Sequence, residues 1–185
     1  VGLIGSTLIN QIKQQSVYLK EQRSLEIKVV GLANSKKMFF DEDGISLDNW
    51  KDDLLASNMM SDLPAFVEHM KTLNLSNSIF IDNTADKTIT NHYESILDSS
   101  ISISTPNKIA TSSSFLQYKR LKTIAKKRGS HFMYETNVGA GLPVLTTLND
   151  LINSGDQILK IEGVLSGSLS FIFNSFNEGK KFSSI

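Results

Sequence analysis

Short apolar runs that end in polar residues alternate with helical patterns through the first 135 residues of this 185-residue chain. Such alternation predicts a doubly wound parallel sheet, because each parallel pair needs a crossover and a helix usually supplies it. Residues 6–22 set Leu8, Ile12, Val17 and Leu19 among glutamines and lysines, an amphipathic first helix. Residues 26–33 are rich in β-branched side chains and read as a strand. A loop over 34–53 follows, with Asp43-Gly44 as a turn signal. Residues 63–73 form a helical pattern with Pro64 in the first turn and Asp62 or Ser61 as cap.

The alternation continues with strands over 78–84 and 101–104 and helices over 89–97 and 115–128. Residues 131–135 read as one more strand, and a glycine-rich break follows at Asn137-Val138-Gly139-Ala140-Gly141-Leu142-Pro143. Beyond it come a helix over 144–151, a strand over 157–165 and a helix opened by Ser166-Gly167-Ser168. The boundary is therefore expected near residue 135, with one domain over 1–134 and the beginning of a second over 135–185.

The opening Val1-Gly2-Leu3-Ile4-Gly5-Ser6 reads as the last positions of G-x-G-x-x-G. The leading strand and first glycine are expected to lie before residue 1. In such a strand-to-helix turn, Gly2 lets the backbone approach a pyrophosphate and Gly5 lets the helix pack closely on its sheet. Glycines at a tight turn are common in any α/β protein, so this pair alone leaves both readings open.

Composition excludes several classes. Nineteen basic residues balance 19 acidic ones and no polybasic run occurs, which argues against nucleic-acid and membrane-surface partners. No apolar stretch reaches the length of a membrane span. With no cysteine, disulfides, thiolate metal sites and thiolate nucleophiles are excluded for these residues. His69, His92 and His131 stand too far apart for a recognisable ligand spacing.

Open parallel sheets bind ligands outside the carboxyl ends of their strands. Three ends are informative: Ala33-Asn34-Ser35-Lys36-Lys37, Asp82-Asn83-Thr84-Ala85 and Thr105-Pro106-Asn107-Lys108. The first lacks the acidic residue that grips the ribose hydroxyls of NAD, and its lysines suit a 2′-phosphate, hence NADP. Lys108 follows a turn-fixing proline and could stabilise oxyanion charge or deliver a proton. Its plainer reading is a surface lysine after a turn. Glu135 and the glycine-rich bend could turn several carbonyls toward a hard monovalent cation, or simply form a tight loop.

Four segments together resemble homoserine dehydrogenase over essentially the whole chain. They are Gly2-Leu3-Ile4-Gly5-Ser6-Thr7-Leu8, Thr105-Pro106-Asn107-Lys108, residues 134–143 and residues 165–174. Ala33-Asn34-Ser35 and Asp48-Asn49-Trp50 look more like the dehydrogenase half of bifunctional aspartokinase–homoserine dehydrogenases. The resemblance implies a Rossmann-like domain followed by the start of an α+β substrate and dimerisation domain. It also implies NAD(P)H-dependent interconversion of L-aspartate 4-semialdehyde and L-homoserine, in the cytoplasm, on the route to threonine and methionine.

By position, the resemblance puts Gly2, Leu3, Ile4 and Gly5 at the pyrophosphate, Ala33, with Ser35 and Lys36 beside it, at the adenosine end, and Thr84 near the nicotinamide. Lys108 would touch cofactor and substrate and assist catalysis. Glu135, Val138, Ala140 and Leu142 match the family's sodium site, mostly through main-chain carbonyls. NADP(H) is the expected cofactor, with NAD(H) possible, and a small-molecule substrate and a homo-oligomer built through the second domain are the expected partners.

The family's second catalytic lysine and its amino-group-binding acids are expected beyond Ile185, so this stretch alone is expected to turn nothing over. Phosphorylating aspartate-semialdehyde dehydrogenase is set aside, since its chemistry needs a cysteine nucleophile. A non-catalytic nucleotide-binding regulatory domain of the same fold is the alternative.

Overall fold

Two compact units, Val1–Phe132 and Met133–Ile185, make up the structure, a computed structural model that describes residues 1–176 and 181–184. Residues 177–180 and 185, at the end of the expected second domain, lie outside the described residues.

The first unit begins with helix α1 (Leu3–Arg23), which presses Gly5 and Ile9 inward. Strands β1 (Gly31–Ala33) and β2 (Met38–Phe40) pair antiparallel, Leu32 opposite Phe39. The expected strand over 26–33 is thus only its last three residues, because Val29 and Val30 bond instead to Ile45 and Asp41 in the following loop. The expected loop over 34–53 also contains β2. Asn34 Oδ1 accepts the N–H groups of Lys36 and Lys37, both at 2.8 Å, an Asx turn that reverses the chain.

Helix α2 (Trp50–Ala56) buries Trp50 and Leu54, which join Ile9, Leu32 and Ile45 in one apolar cluster. Helix α3 (Leu63–Leu73) starts as the sequence predicts: Pro64 sits in its first turn and Asp62 accepts the N–H of Ala65 at 2.9 Å. The Phe66 ring lies 4.6 Å from Phe40, and His69 stacks on Phe40 at 4.2 Å. Gly31 makes that approach possible, since a Cβ there would lie 2.8 Å from the Phe40 ring and 3.1 Å from Phe66.

A second sheet has the order β3-β4-β5, from β3 (Ile79–Ile81), β4 (Ser102–Ser104) and β5 (Phe132–Met133). Strands β3 and β4 run parallel, Phe80 opposite Ile103, as α/β alternation requires. The helix expected over 89–97 is split into α4 (Lys87–Thr90) and α5 (Tyr93–Asp98). At the break, Asn91 and His92 make turn-type bonds to Thr88 and Ile89, and Asp86 caps α4 earlier than the apolar pattern suggests.

Strand β4 leads into α6 (Ile109–Ser112) and α7 (Phe115–Arg128). Helix α7 packs on α5, pinned by Arg120–Glu94 and Arg128–Asp98, both 2.8 Å. Tyr93, Ile96, Leu97, Ile103 and Leu121 are fully buried in this core.

The second unit holds a 3-10 turn (Glu135–Asn137), α8 (Val144–Asn153), α9 (Gly167–Ser175) and a last 3-10 turn (Phe182–Ser184). Ser166 caps α9 by accepting the N–H of Leu169. The strand expected over 157–165 does not form. Leu159, Ile161 and Val164 stay exposed there, and a lone apolar run without a partner strand has nothing to hold it extended.

Candidate active site

Two strand ends meet the start of α1, and a third bonds to one of them. The Val1 amino group donates to the Ala33 carbonyl at the end of β1. Gly5 packs where a Cβ would lie 3.1 Å from Val1 Cγ1 and 3.6 Å from Asn83 Nδ2, just past β3. Thr105 Oγ1, just past β4, donates to the Asp82 carbonyl at 2.8 Å. Gly2, Leu3, Ile4, Gly5, Ala33 and the segments 82–84 and 105–108 are therefore gathered at one edge of the unit.

Gly2 is the N-cap of α1, in extended backbone (φ −112°, ψ −152°) and with no side chain to occupy the helix end. Among the described residues, a Cβ on Gly2 would meet nothing within 4 Å, which leaves open space before the first turn. The first-turn N–H groups have no partner inside the helix and carry the positive end of its dipole. An open, donor-rich helix start of this kind fits a pyrophosphate. The two glycines differ in their surroundings, Gly2 facing open space and Gly5 packed against Val1 and Asn83.

At the end of β1, Ser35 and Lys36 are exposed on the outside of the Asn34 turn. Lys37 behaves differently. Its Nζ donates to the carbonyls of Leu55 at 2.5 Å and Ser57 at 2.7 Å, closing the carboxyl end of α2. Only the first of the two lysines faces solvent with its charge.

At the ends of β3 and β4 lies a buried polar cluster that sequence reasoning missed. Asp82 is 2% exposed, and its Oδ2 accepts the Tyr93 hydroxyl at 2.6 Å and Asn107 Nδ2 at 3.0 Å. Its Oδ1 accepts the N–H of Thr84 at 2.8 Å. Asn107 Nδ2 also donates to the Asp86 carbonyl at 3.0 Å, and Asn107 Oδ1 accepts the N–H of Ile109 at 3.1 Å. Burial first, and then the bond to Asp82, pushes the Tyr93 phenol up, so it stays a protonated donor. An aspartate ending an apolar run and a Thr-Pro-Asn turn were visible signals. Nothing local in the sequence pairs them with Tyr93.

Lys108 follows Asn107 as the N-cap of α6, with its carbonyl accepting the N–H groups of Thr111 and Ser112. Its side chain is exposed, and its ammonium makes no hydrogen bond or ion pair among the described residues. Thr84 is also exposed, one residue past Asn83.

In the second unit, Glu135 is committed to α8. Its Oε1 accepts the N–H of Leu145 at 2.9 Å, and Oε2 accepts the N–H and hydroxyl of Thr146 at 2.8 and 2.7 Å. The Thr146 hydroxyl leads in holding this carboxyl below its usual range, with the backbone N–H groups adding to it. The Glu135 carbonyl accepts from Val138 and the Leu142 carbonyl from Val144. Gly139 and Ala140 both adopt positive φ, 73° and 52°, which turns the bend sharply. No group of three or more His, Asp or Glu side chains able to hold a metal occurs among the described residues. A cation at this bend would have to be held by main-chain carbonyls.

The family description for the homoserine dehydrogenase NAD-binding domain matches residues 1–135, and that for homoserine dehydrogenase itself matches residues 143–185. The chain belongs to the homoserine dehydrogenase family. Bifunctional aspartokinase/homoserine dehydrogenase 1, chloroplastic, of Zea mays is 40% identical over all 185 residues, which span 20% of that protein. Homoserine dehydrogenase of Schizosaccharomyces pombe is 37% identical over 97% of the chain and 48% of its own length. The chain thus spans from a fifth to about half of these homoserine dehydrogenase relatives. A hyperthermophilic archaeal homoserine dehydrogenase solved in complex with NADPH superposes with a TM-score of 0.76 over 97% of this chain and 55% of that one. At 22% identity, that likeness is one of fold. No helix among the described residues is long and apolar enough to cross a membrane.

Proposed function

We propose that the protein carrying this chain interconverts L-aspartate 4-semialdehyde and L-homoserine with a nicotinamide cofactor. The observation that carries the reading is the exposed Lys108 at the carboxyl end of β4, whose preceding residue Asn107 bonds to Asp82 at the end of β3. When bound there, the reduced nicotinamide supplies the hydride that the aldehyde carbon takes up. Lys108 supplies the proton to the carbonyl oxygen and stabilises the charge that builds on it before transfer. In the reverse direction the same amine accepts the hydroxyl proton.

Gly2 to Gly5 would hold the pyrophosphate, Ala33 the adenosine end and Thr84 the cofactor near its nicotinamide. The exposed Ser35 and Lys36, with no carboxylate at the end of β1, favour NADP(H) over NAD(H). A sodium ion would sit on the carbonyls of Glu135, Val138, Ala140 and Leu142, because the Glu135 side chain already serves α8. We extend the reading to threonine and methionine formation in the cytoplasm, to a domain division near residue 135, and to assembly as a homo-oligomer through the second domain.

The test is absorbance at the nicotinamide band, with homoserine and each oxidised cofactor, using the full native polypeptide that carries these residues. Homoserine-dependent reduction, faster with NADP than with NAD, is expected. Reduction with neither cofactor overturns the reading.

A further inference from the structure

We infer that Tyr93 and Asp82 are positioning residues for Lys108, holding through Asn107 the turn that presents it. The inference rests on the role given to Lys108 above.

A carboxylate as buried as Asp82 is costly to keep unless its oxygens are fully bonded. Here both oxygens are bonded, and every bond leads to the ends of β3 or β4 or to the helix behind them. Thr84 is held on Oδ1, while Tyr93 and Asn107 share Oδ2. The sheet could be closed here with apolar side chains at lower cost, as it is at the neighbouring Ile96, Leu97 and Ile103. What the polar cluster adds is a fixed conformation of residues 105–109.

Asn107 is the coupling element. Its own N–H donates to Thr105 Oγ1 at 2.9 Å, which fixes the backbone before Lys108. Its Oδ1 takes the N–H of Ile109 at 3.1 Å, which fixes the backbone after it. Its Nδ2 reaches Asp82 and the Asp86 carbonyl, which anchors the side chain itself. Lys108 is therefore gripped on both sides by a buried neighbour and keeps only its side-chain torsions. Tyr93 has no exposed surface, so it reaches the reacting atoms only through this relay.

Misplacing a reacting group by about 1 Å can cost roughly a hundredfold in rate. In the full native polypeptide, Tyr93→Phe removes the shortest bond to Asp82 without changing the packed ring. The expected result is a fall in kcat of roughly tenfold to a hundredfold, with the KM for homoserine nearly unchanged. Introduced into Lys108→Ala, the same change should cost nothing further, because the two act as one unit. Hydrogen exchange at the amides of Thr84 and Ile109 should quicken in Tyr93→Phe and stay unchanged in Lys108→Ala.

Equal rate losses with and without Lys108, or a risen KM with kcat unchanged, would make Tyr93 merely structural and overturn the inference. So would unaltered exchange at Thr84 and Ile109. If Tyr93→Phe does not fold, Asp82→Asn is the second variant, near in shape but unable to accept on both oxygens, and the same readouts apply. A wild-type protein inactive on homoserine overturns the function proposed above, whereas the exchange measurement judges the tether independently.

Discussion

The Glu135 carboxylate lies across the first turn of α8, one oxygen on the Leu145 amide and the other on the amide and hydroxyl of Thr146. A residue expected to serve a cation by its position thus has its side chain working as a helix cap ten residues downstream. The N-cap position itself is occupied by Pro143, which offers no side-chain acceptor, so the distant carboxylate fills that role.

Glu135→Gln should therefore loosen the start of α8, seen as faster amide exchange at Leu145 and Thr146. The pH dependence has a definite sign. The folded-state pKa is depressed, so the support is fully present above the usual carboxyl pKa and is lost as pH falls through the lower folded value. Following the Thr146 amide shift by NMR should give a midpoint below that of a free glutamate.

The opening glycines separate binding from packing. Gly2→Ala places its methyl in open space, so Tm should stay within a degree or so of wild type while cofactor affinity drops. Gly5→Val drives branched carbons toward Val1 and Asn83 and should lower Tm by several degrees. Thermal melts with and without NADPH distinguish the two.

Lys108→Ala should depress turnover by orders of magnitude and leave the melting temperature unchanged, because the backbone at residue 108 is held by Asn107, Thr111 and Ser112 rather than by the lysine side chain. Steady-state rates and circular dichroism of the same preparation check both halves. A variant with near-normal rates removes Lys108 from the reaction.

Lys36 and Lys37, adjacent in sequence, should fail in different ways. Lys36→Ala should weaken NADPH relative to NADH with little change in stability. Lys37→Ala should cost about 1 kcal/mol of stability through the two carbonyls it leaves at the end of α2, with cofactor preference unaltered. Cofactor titration and denaturant unfolding of both variants would settle the assignment.

Much of the fold was legible because its signals are local. Pro64 with Asp62 fixes the start of α3, Ser166 that of α9, and the pattern over 115–128 gives α7 to the residue. The strand over 157–165 was misread because alternation reports apolar content, whereas a strand also needs a partner. The hairpin β1–β2 was missed because one side chain, Asn34, makes its turn. At the candidate site, Gly2 and Gly5 stand out by their glycine spacing and Lys108 by its strand-end position. The Asp82–Tyr93–Asn107 relay was not, since its members stand 11 and 25 residues apart and meet only once β3, β4 and α5 are packed.

The hydrogen on Gly31 sets how closely the hairpin can lie against the rings of Phe40 and Phe66. Residues 31 and 40 are accordingly bound together in what they can become. An alanine at 31 obliges the Phe40 ring to move and the Phe66 ring to give way beside it, so a smaller side chain at 40 eases what a methyl at 31 crowds.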